Sequence, residues 1–188
     1  HAKYSDKIYT IESQPMPLAN DLLSRYNDDL SYLVMSTGSE QHVLSEDEKR
    51  FSESGRYMQS KAPELLELKM RSGSHSALNE VNSILLSETL AKKMFGNKDP
   101  LGRILKIDNK FPVTVTGIYE DLPDNSDFKG LSYIAPFDLY VSSYESAQKK
   151  QTDWNSIGFN IYLQIKENAD LERLSSGIKN ILADHASG

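Results

Sequence analysis

Ile84-Leu85-Leu86-Ser87-Glu88-Thr89-Leu90-Ala91-Lys92-Lys93-Met94-Phe95-Gly96 holds the clearest structural instructions in this chain. The apolar triplet Ile84–Leu86 reads as a short buried strand. Ser87 is a residue type that caps a helix by accepting a backbone N–H, and Glu88 puts negative charge at the positive end of the helix dipole. Leu90, Ala91, Met94 and Phe95 recur at helical spacing, Lys92 and Lys93 fall near the other end, and Gly96 suits a left-handed stop. A strand that runs directly into a helix over Glu88–Phe95 is expected.

Downstream, Asp99-Pro100-Leu101-Gly102 forces a turn. Ile104–Ile107 and Val113–Tyr119 then read as paired strands around Asp108-Asn109-Lys110, which completes a compact α/β unit. The acidic group Asp121, Asp124 and Asp127 surrounds Leu122-Pro123 and Asn125-Ser126. It lacks the spacing, glycine and terminal glutamate of a calcium loop and reads as turn chemistry.

Upstream, Ile8–Ile11 reads as a strand, Leu18–Tyr26 as a short amphipathic helix and Leu30–Thr37 as a second strand. An acidic turn at Ser45–Glu48 leads to a third strand around Arg50–Ser54, so the opening is β-α-β-β. Tyr57–Glu80 has no clean period and reads as short turns, most helical around Pro63–Leu68. Further on, Phe137, Tyr140, Val141 and Tyr144 stand at i, i+3, i+4 and i+7 of a helix, and Gln148–Asp153 reads as a polar connector. Asn160–Ile165 alternates as a strand, and Leu171, Leu174, Ile178, Ile181 and Leu182 keep helical spacing to the end. The expected class is α+β: a split β-α-β-β/β-α subdomain from residues 1–56 and 152–188, with an α/β subdomain, residues 57–151, inserted.

The chain has 188 residues, 38% of them hydrophobic and 26% charged, which is ordinary globular usage. A chain of this size buries about 70% of the surface it exposes when unfolded, enough for a real core. Its net charge of -6 and its lack of a Lys/Arg cluster argue against a nucleic-acid partner. Without cysteine it can form no disulfide, thiolate zinc site or Cys nucleophile. Its apolar runs are far shorter than a membrane helix requires. The abrupt opening at His1-Ala2-Lys3 reads as the start of an excised piece of a longer polypeptide.

A search for chemistry yields little. His1, His42, His75 and His185 have no metal-ligand spacing. Ser146-x-x-Lys149 and Ser176-x-x-Lys179 match the S-x-x-K pattern of penicillin-binding enzymes without its Lys-Thr-Gly or Ser-Asp-Asn partners. There is no G-x-S-x-G elbow and no phosphate-binding glycine loop. No catalytic activity, metal or cofactor is therefore expected. The one residue-level candidate is the stripe Phe137, Tyr140, Val141 and Tyr144, read either as a partner surface or as a face packed on the protein's own sheet. A monomer is expected for the isolated chain.

As an ordered string, Ile84 to Gly96, Asp99-Pro100-Leu101-Gly102 and Val113-Thr114-Val115-Thr116-Gly117-Ile118-Tyr119-Glu120-Asp121-Leu122-Pro123 resembles the MacB-like periplasmic core domain of bacterial ABC transporter permeases. Lys7-Ile8-Tyr9, Pro63-Glu64-Leu65, Arg71-Ser72-Gly73, Trp154-Asn155 and Tyr162–Ile165 extend the resemblance more faintly. It implies a soluble domain on the periplasmic face of the inner membrane, between the first two of a permease's four membrane helices. It also implies a split Porter part with an inserted Sabre part, and transmission of ATP-driven motion in efflux or related transport. The implied partners are a cytoplasmic ATPase, a second permease copy and a periplasmic adaptor or envelope protein. The competing expectation is an extracytoplasmic ligand-sensing domain of a membrane receptor.

Overall fold

The computed structural model describes residues 8–186; the expectations that rest on His1-Ala2-Lys3 and Lys7 lie outside them. In chain order the first elements are β1 (Ile8–Gln14), α1 (Pro17–Tyr26), β2 (Leu30–Ser36), β3 (Glu40–Glu46), β4 (Lys49–Met58), α2 (Ala62–Leu65) and β5 (Met70–Ser72). A 3-10 turn, His75–Leu78, leads to β6 (Ser83–Ser87), α3 (Glu88–Phe95), β7 (Ile104–Ile107), β8 (Phe111–Tyr119) and β9 (Tyr133–Pro136). The last are α4 (Phe137–Ser143), α5 (Glu145–Lys150), β10 (Phe159–Ile165) and α6 (Leu171–Ala186). The α+β class expected from the sequence is the one observed.

The two ends of the chain build one layer together. β10 lies between β1 and β2 and runs antiparallel to both. Strand side chains alternate between faces, so Leu33 and Met35 of β2 point the same way as Ile161 and Leu163 of β10. On that face they cluster with Leu18, Ala19 and Leu22 of α1 and with Leu174 and Ile181 of α6. Each buried Leu, Ile or Met among them contributes about 1.5–3 kcal/mol by leaving water. The opposite face presents Val34 and Tyr162 to a second cluster with Ala62, Leu65, Leu66 and Phe128.

The remaining long strands close on themselves. Their order is β4-β3-β7-β8-β6-β9, and β9 returns to pair in parallel with β4 from Gly55↔Tyr133 to Met58↔Pro136. Closure leaves these strands no free edge to attract other chains. Inside lie Leu44, Tyr57, Ile84, Leu86, Leu105, Ile107, Val113, Val115, Tyr133 and Ala135. The alternate residues Leu85 and Ile134 face out onto α2 and the 3-10 turn. β6 is thus buried on both sides, which is why Ile84–Leu86 is a continuous apolar run.

The expected caps and turn are present. Ser87 accepts the Leu90 N–H, Gly96 has φ 63, and Asp108 and Asn109 turn the β7–β8 hairpin with φ 53 and 57. Several details differ from expectation; one is that Met70–Ser72, in the stretch expected to be turns, is a strand paired with β8. Glu40–Glu46 is a strand, which shortens the acidic turn to Asp47-Glu48; only Leu44 of it is fully enclosed, so pairing with β4 and β7, not alternation, makes it one. β9 was hidden because all its residues are buried between β4 and β6. Tyr144 is extended (φ -123, ψ 117) and falls between α4 and α5, so the expected stripe does not continue as one helix. Finally, the first half of the expected connector, Gln148–Lys150, is the end of α5, a helix that buries Ala147 and is otherwise polar.

β2 reaches β4 at the single pair Ser36↔Met58, beside which Thr37 N donates to Tyr57 O at 3.0 Å and Gln59 N to Met35 O at 3.0 Å. The expected division after residue 56 falls within β4.

Candidate functional site

The stripe singled out in the sequence lies over the ring between β4 and β9. Pro136 ends β9 and caps α4 in one step, so Phe137 enters the helix directly from a buried strand. Phe137 is 4% exposed, while Tyr140, Val141 and Tyr144 are half-buried. Tyr140 is central: its ring centroid stands 5.5 Å from Tyr57, 5.8 Å from Phe137, 5.3 Å from Tyr144 and 6.1 Å from Phe159. Tyr144 reaches across to Phe111 at 5.5 Å. These offset and edge-on contacts add about 0.5–1.5 kcal/mol per pair beyond area burial.

Beneath this roof are groups that the sequence did not connect with it. Tyr57 and Tyr133 are enclosed, and His42 packs edge-on against both rings at 5.7 and 6.4 Å. His42 Nδ1 donates to Asp108 Oδ2 at 2.7 Å, and its Nε2 lies 3.7 Å from Glu40. Burial, joined by the nearby Tyr144 and Asp108, pushes the Tyr57 phenol far above its ordinary range. Burial, followed by Tyr57 and Asp108, does the same to Tyr133. Tyr140 and Tyr144 are raised too, burial again being the first cause. All four phenols therefore stay neutral, as packing groups.

Among the described residues no acid-base constellation assembles around them. His42 is held between carboxylates and pairs with no hydroxyl or thiol nucleophile. His75 Nε2 lies 2.7 Å from Leu68 O, and His185 stacks on Trp154 at 3.6 Å. Asp121 accepts the Thr89 hydroxyl and N–H at the start of α3, and Asp124 pairs with Lys129 at 3.1 Å. Among the described residues no group of His, Asp or Glu is arranged to hold a metal ion. Nor is any helix long and apolar enough to cross a membrane.

Such a site works by packing: an aromatic roof, partly open to solvent, over a ring of strands, beside the place where β2 joins the ring at β4. The matching family model runs along almost the whole of this architecture, from residue 5 to residue 181. The chain belongs to the MacB-like periplasmic core domain family. Solved structures share the fold of this MacB-like domain at low sequence identity. A domain of a putative permease protein from Porphyromonas gingivalis superposes with TM-score 0.72 and 20% identity, over 93% of this chain and 72% of that one. The periplasmic region of MacB from Actinobacillus actinomycetemcomitans gives TM-score 0.72 and 16% identity, over 96% and 84% of the two chains. The extracellular domain of the noncanonic ABC-type transporter YknZ from Gram-positive bacteria gives 0.69 and 19%, over 95% of each. No curated protein sequence matches this MacB-like domain.

Proposed function

We propose that this MacB-like domain is the periplasmic part of an ABC transporter permease and that it transmits motion driven by a cytoplasmic ATPase to partners outside the membrane. The observation that carries this reading is the family match over residues 5–181. The partners in the proposal are a second permease copy and a periplasmic adaptor or envelope protein, and the process is efflux or a related export step. The division into a Porter-like unit (1–56 and 152–188) and a Sabre-like insert (57–151) belongs to the same proposal, with β4 shared between them.

The test uses the full parent permease with its ATPase, reconstituted in lipid nanodiscs. Spin labels at the exposed positions Lys98 and Glu172 should report different distances, within or between copies, in the nucleotide-free and ATP-trapped states. Identical distance distributions in both states would sink motion transfer through this domain.

The half-exposed edges of Tyr140, Val141 and Tyr144 are proposed as part of the partner surface. A photo-crosslinking residue at Val141 in the parent permease should form an adduct with a second copy or an envelope protein in cells. Adducts absent there, but present from a control position elsewhere on the domain, would remove this surface from the proposal.

A further inference from the structure

The outer edge of β1 is unpaired among the described residues: the strand stands last in its sheet and bonds to β10 alone. Such an edge presents a row of backbone N–H and C=O groups that another strand can complete, and proteins commonly guard it with proline or charge. Ile8-Tyr9-Thr10-Ile11 carries neither. Tyr9 pairs with Leu163 of the core, so it stands on the helix-covered face of the sheet, and there it is 44% exposed.

The strand ends in a bulge. Between the pairs Ile11↔Ile161 and Gln14↔Phe159, β1 takes three steps where β10 takes two. Ser13 absorbs the extra residue at φ 53, and its N–H reaches Asn160 Oδ1 at 3.5 Å. The bulge turns the chain into a cleft of about 320 Å³, at the lower end of the range of ligand pockets. Trp154, in the loop before β10, stacks on His185 in the last turn of α6, with centroids 3.6 Å apart and planes within 7°. Ile157 adds an aliphatic wall and is 61% exposed. Gln14 and Asn155 bring side-chain amides, and apart from His185 no ionisable side chain among the described residues lines the cleft.

We propose that the edge of β1 and this cleft form one docking site for an extended segment of a partner protein, which pairs with β1 and seats an aromatic or bulky aliphatic side chain against Trp154 and Ile157. Strand addition divides its work in this way: main-chain hydrogen bonds supply affinity and a pocket supplies specificity. The amides of Gln14 and Asn155 suit the peptide groups that flank the seated side chain, since each amide carries a donor and an acceptor. A wall with so little charge selects a neutral anchor. A second copy of this domain fits less well, because the edge bends after Ile11; a single flexible strand follows that bend and a rigid sheet does not. The docking site is independent of the motion transfer proposed above.

The test titrates the whole domain with a defined probe, an acetylated and amidated heptapeptide of alternating threonine and valine with phenylalanine at its centre. Trp154 is the chain's one tryptophan, so its fluorescence reports the cleft directly. Emission should shift saturably below about 1 mM peptide, and hydrogen exchange of the outward amides in residues 9–12 should slow while that of β7 is unchanged. Alanine in place of the phenylalanine should weaken binding about tenfold or more. Ile157→Ser, at a position too exposed to matter for folding, should weaken it about threefold or more. N-methylation of one alternate set of peptide amides should abolish binding, and of the other set should not. No shift and no protection up to that concentration overturns the proposal, as does a shift without protection of β1. So does equal binding of the alanine peptide or of both N-methylated peptides. A stable dimer by light scattering, with the β1 amides protected before peptide is added, gives the edge to a second copy and overturns it too.

Discussion

The Asp108 carboxylate binds β3 twice: Oδ2 stands 2.7 Å from His42 Nδ1, while Oδ1 accepts the Val43 N–H at 3.0 Å. The Asp108 N–H returns to Val43 O at 2.8 Å. This matters because β3 and β7 form only two register pairs, Leu44↔Ile107 and Ser45↔Lys106, where β3 joins the β7–β8 hairpin. A side chain in the β7–β8 turn supplies what the short ladder does not. Asn109 repeats the device, its Oδ1 accepting the Ser45 hydroxyl at 3.1 Å.

Asp108→Ala should therefore weaken the closure of the ring as well as its turn. It leaves the Val43 N–H and His42 Nδ1 without their acceptor and puts alanine at φ 53. A loss of about 2–3 kcal/mol is expected, seen as a Tm lower by about 4–9 °C. Asp108→Asn keeps a side-chain acceptor and a residue that tolerates the left-handed region, so it should lose about half as much. Equal stability of the alanine variant and wild type in urea titration would show that the turn does not hold the seam.

The buried phenols set an alkaline limit on stability. Tyr57, Tyr119 and Tyr133 all have folded-state pKa values well above 10, burial being the largest cause in each. The unfolded chain then releases protons near pH 10 that the folded chain retains, so stability is complete below that pH and falls as pH rises through it. The slope approaches about 1.4 kcal/mol per pH unit for each such tyrosine. Tyrosinate absorbance should rise for the exposed phenols first and then jump together with loss of the far-ultraviolet circular dichroism signal. Smooth ionisation of all ten tyrosines with the fold intact would contradict this.

Gly55→Ala tests the closure from β9. An added Cβ would lie 2.1–2.5 Å from three atoms of the Tyr133 ring, which is enclosed and has no room to retreat. Overpacking of this kind costs about 1–3 kcal/mol. Chemical denaturation should show that loss, and Gly55→Ala combined with Tyr133→Leu should lose less than the sum of the two single variants. Strict additivity would mean that the ring does not press on the glycine.

The parts of this fold legible in the sequence are those whose signals are local. Ser87, Glu88 and Gly96 mark α3 by their own capping chemistry, and Asp108-Asn109 marks a turn because both residues accept φ > 0. β3 and β9 were not legible, since their strand character comes from partners far along the chain. The aromatic stripe was found by its spacing at Phe137, Tyr140 and Val141, yet Tyr144 joins it through a break in the helix and not through periodicity. Nothing local in His42, Tyr57 or Tyr133 shows that ring closure brings them under that stripe. The family was legible because an ordered string of caps, turns and strands identifies a scaffold by its local signals alone.

Phe128 holds the loop between β8 and β9 against the rest of the fold. Its ring lies 5.1 Å from Tyr162 of β10, and the Arg56 guanidinium of β4 stands 5.2 Å from its centroid while donating to the Tyr162 hydroxyl. One side chain of the loop thus reaches the sheet built by the chain ends through a residue of the ring. Tyr119 anchors the loop's far end by donating to Leu131 O at 2.7 Å. Phe128→Ala should remove the first hold and leave the second, at a cost of about 3 kcal/mol. Trypsin should then cut after Lys129 well before the rest of the domain, whereas Phe128→Tyr, which keeps the ring, should resist as the wild type does. If both variants are cut at the wild-type rate, the ring contact does not hold the loop, and the Tyr119 anchor must suffice.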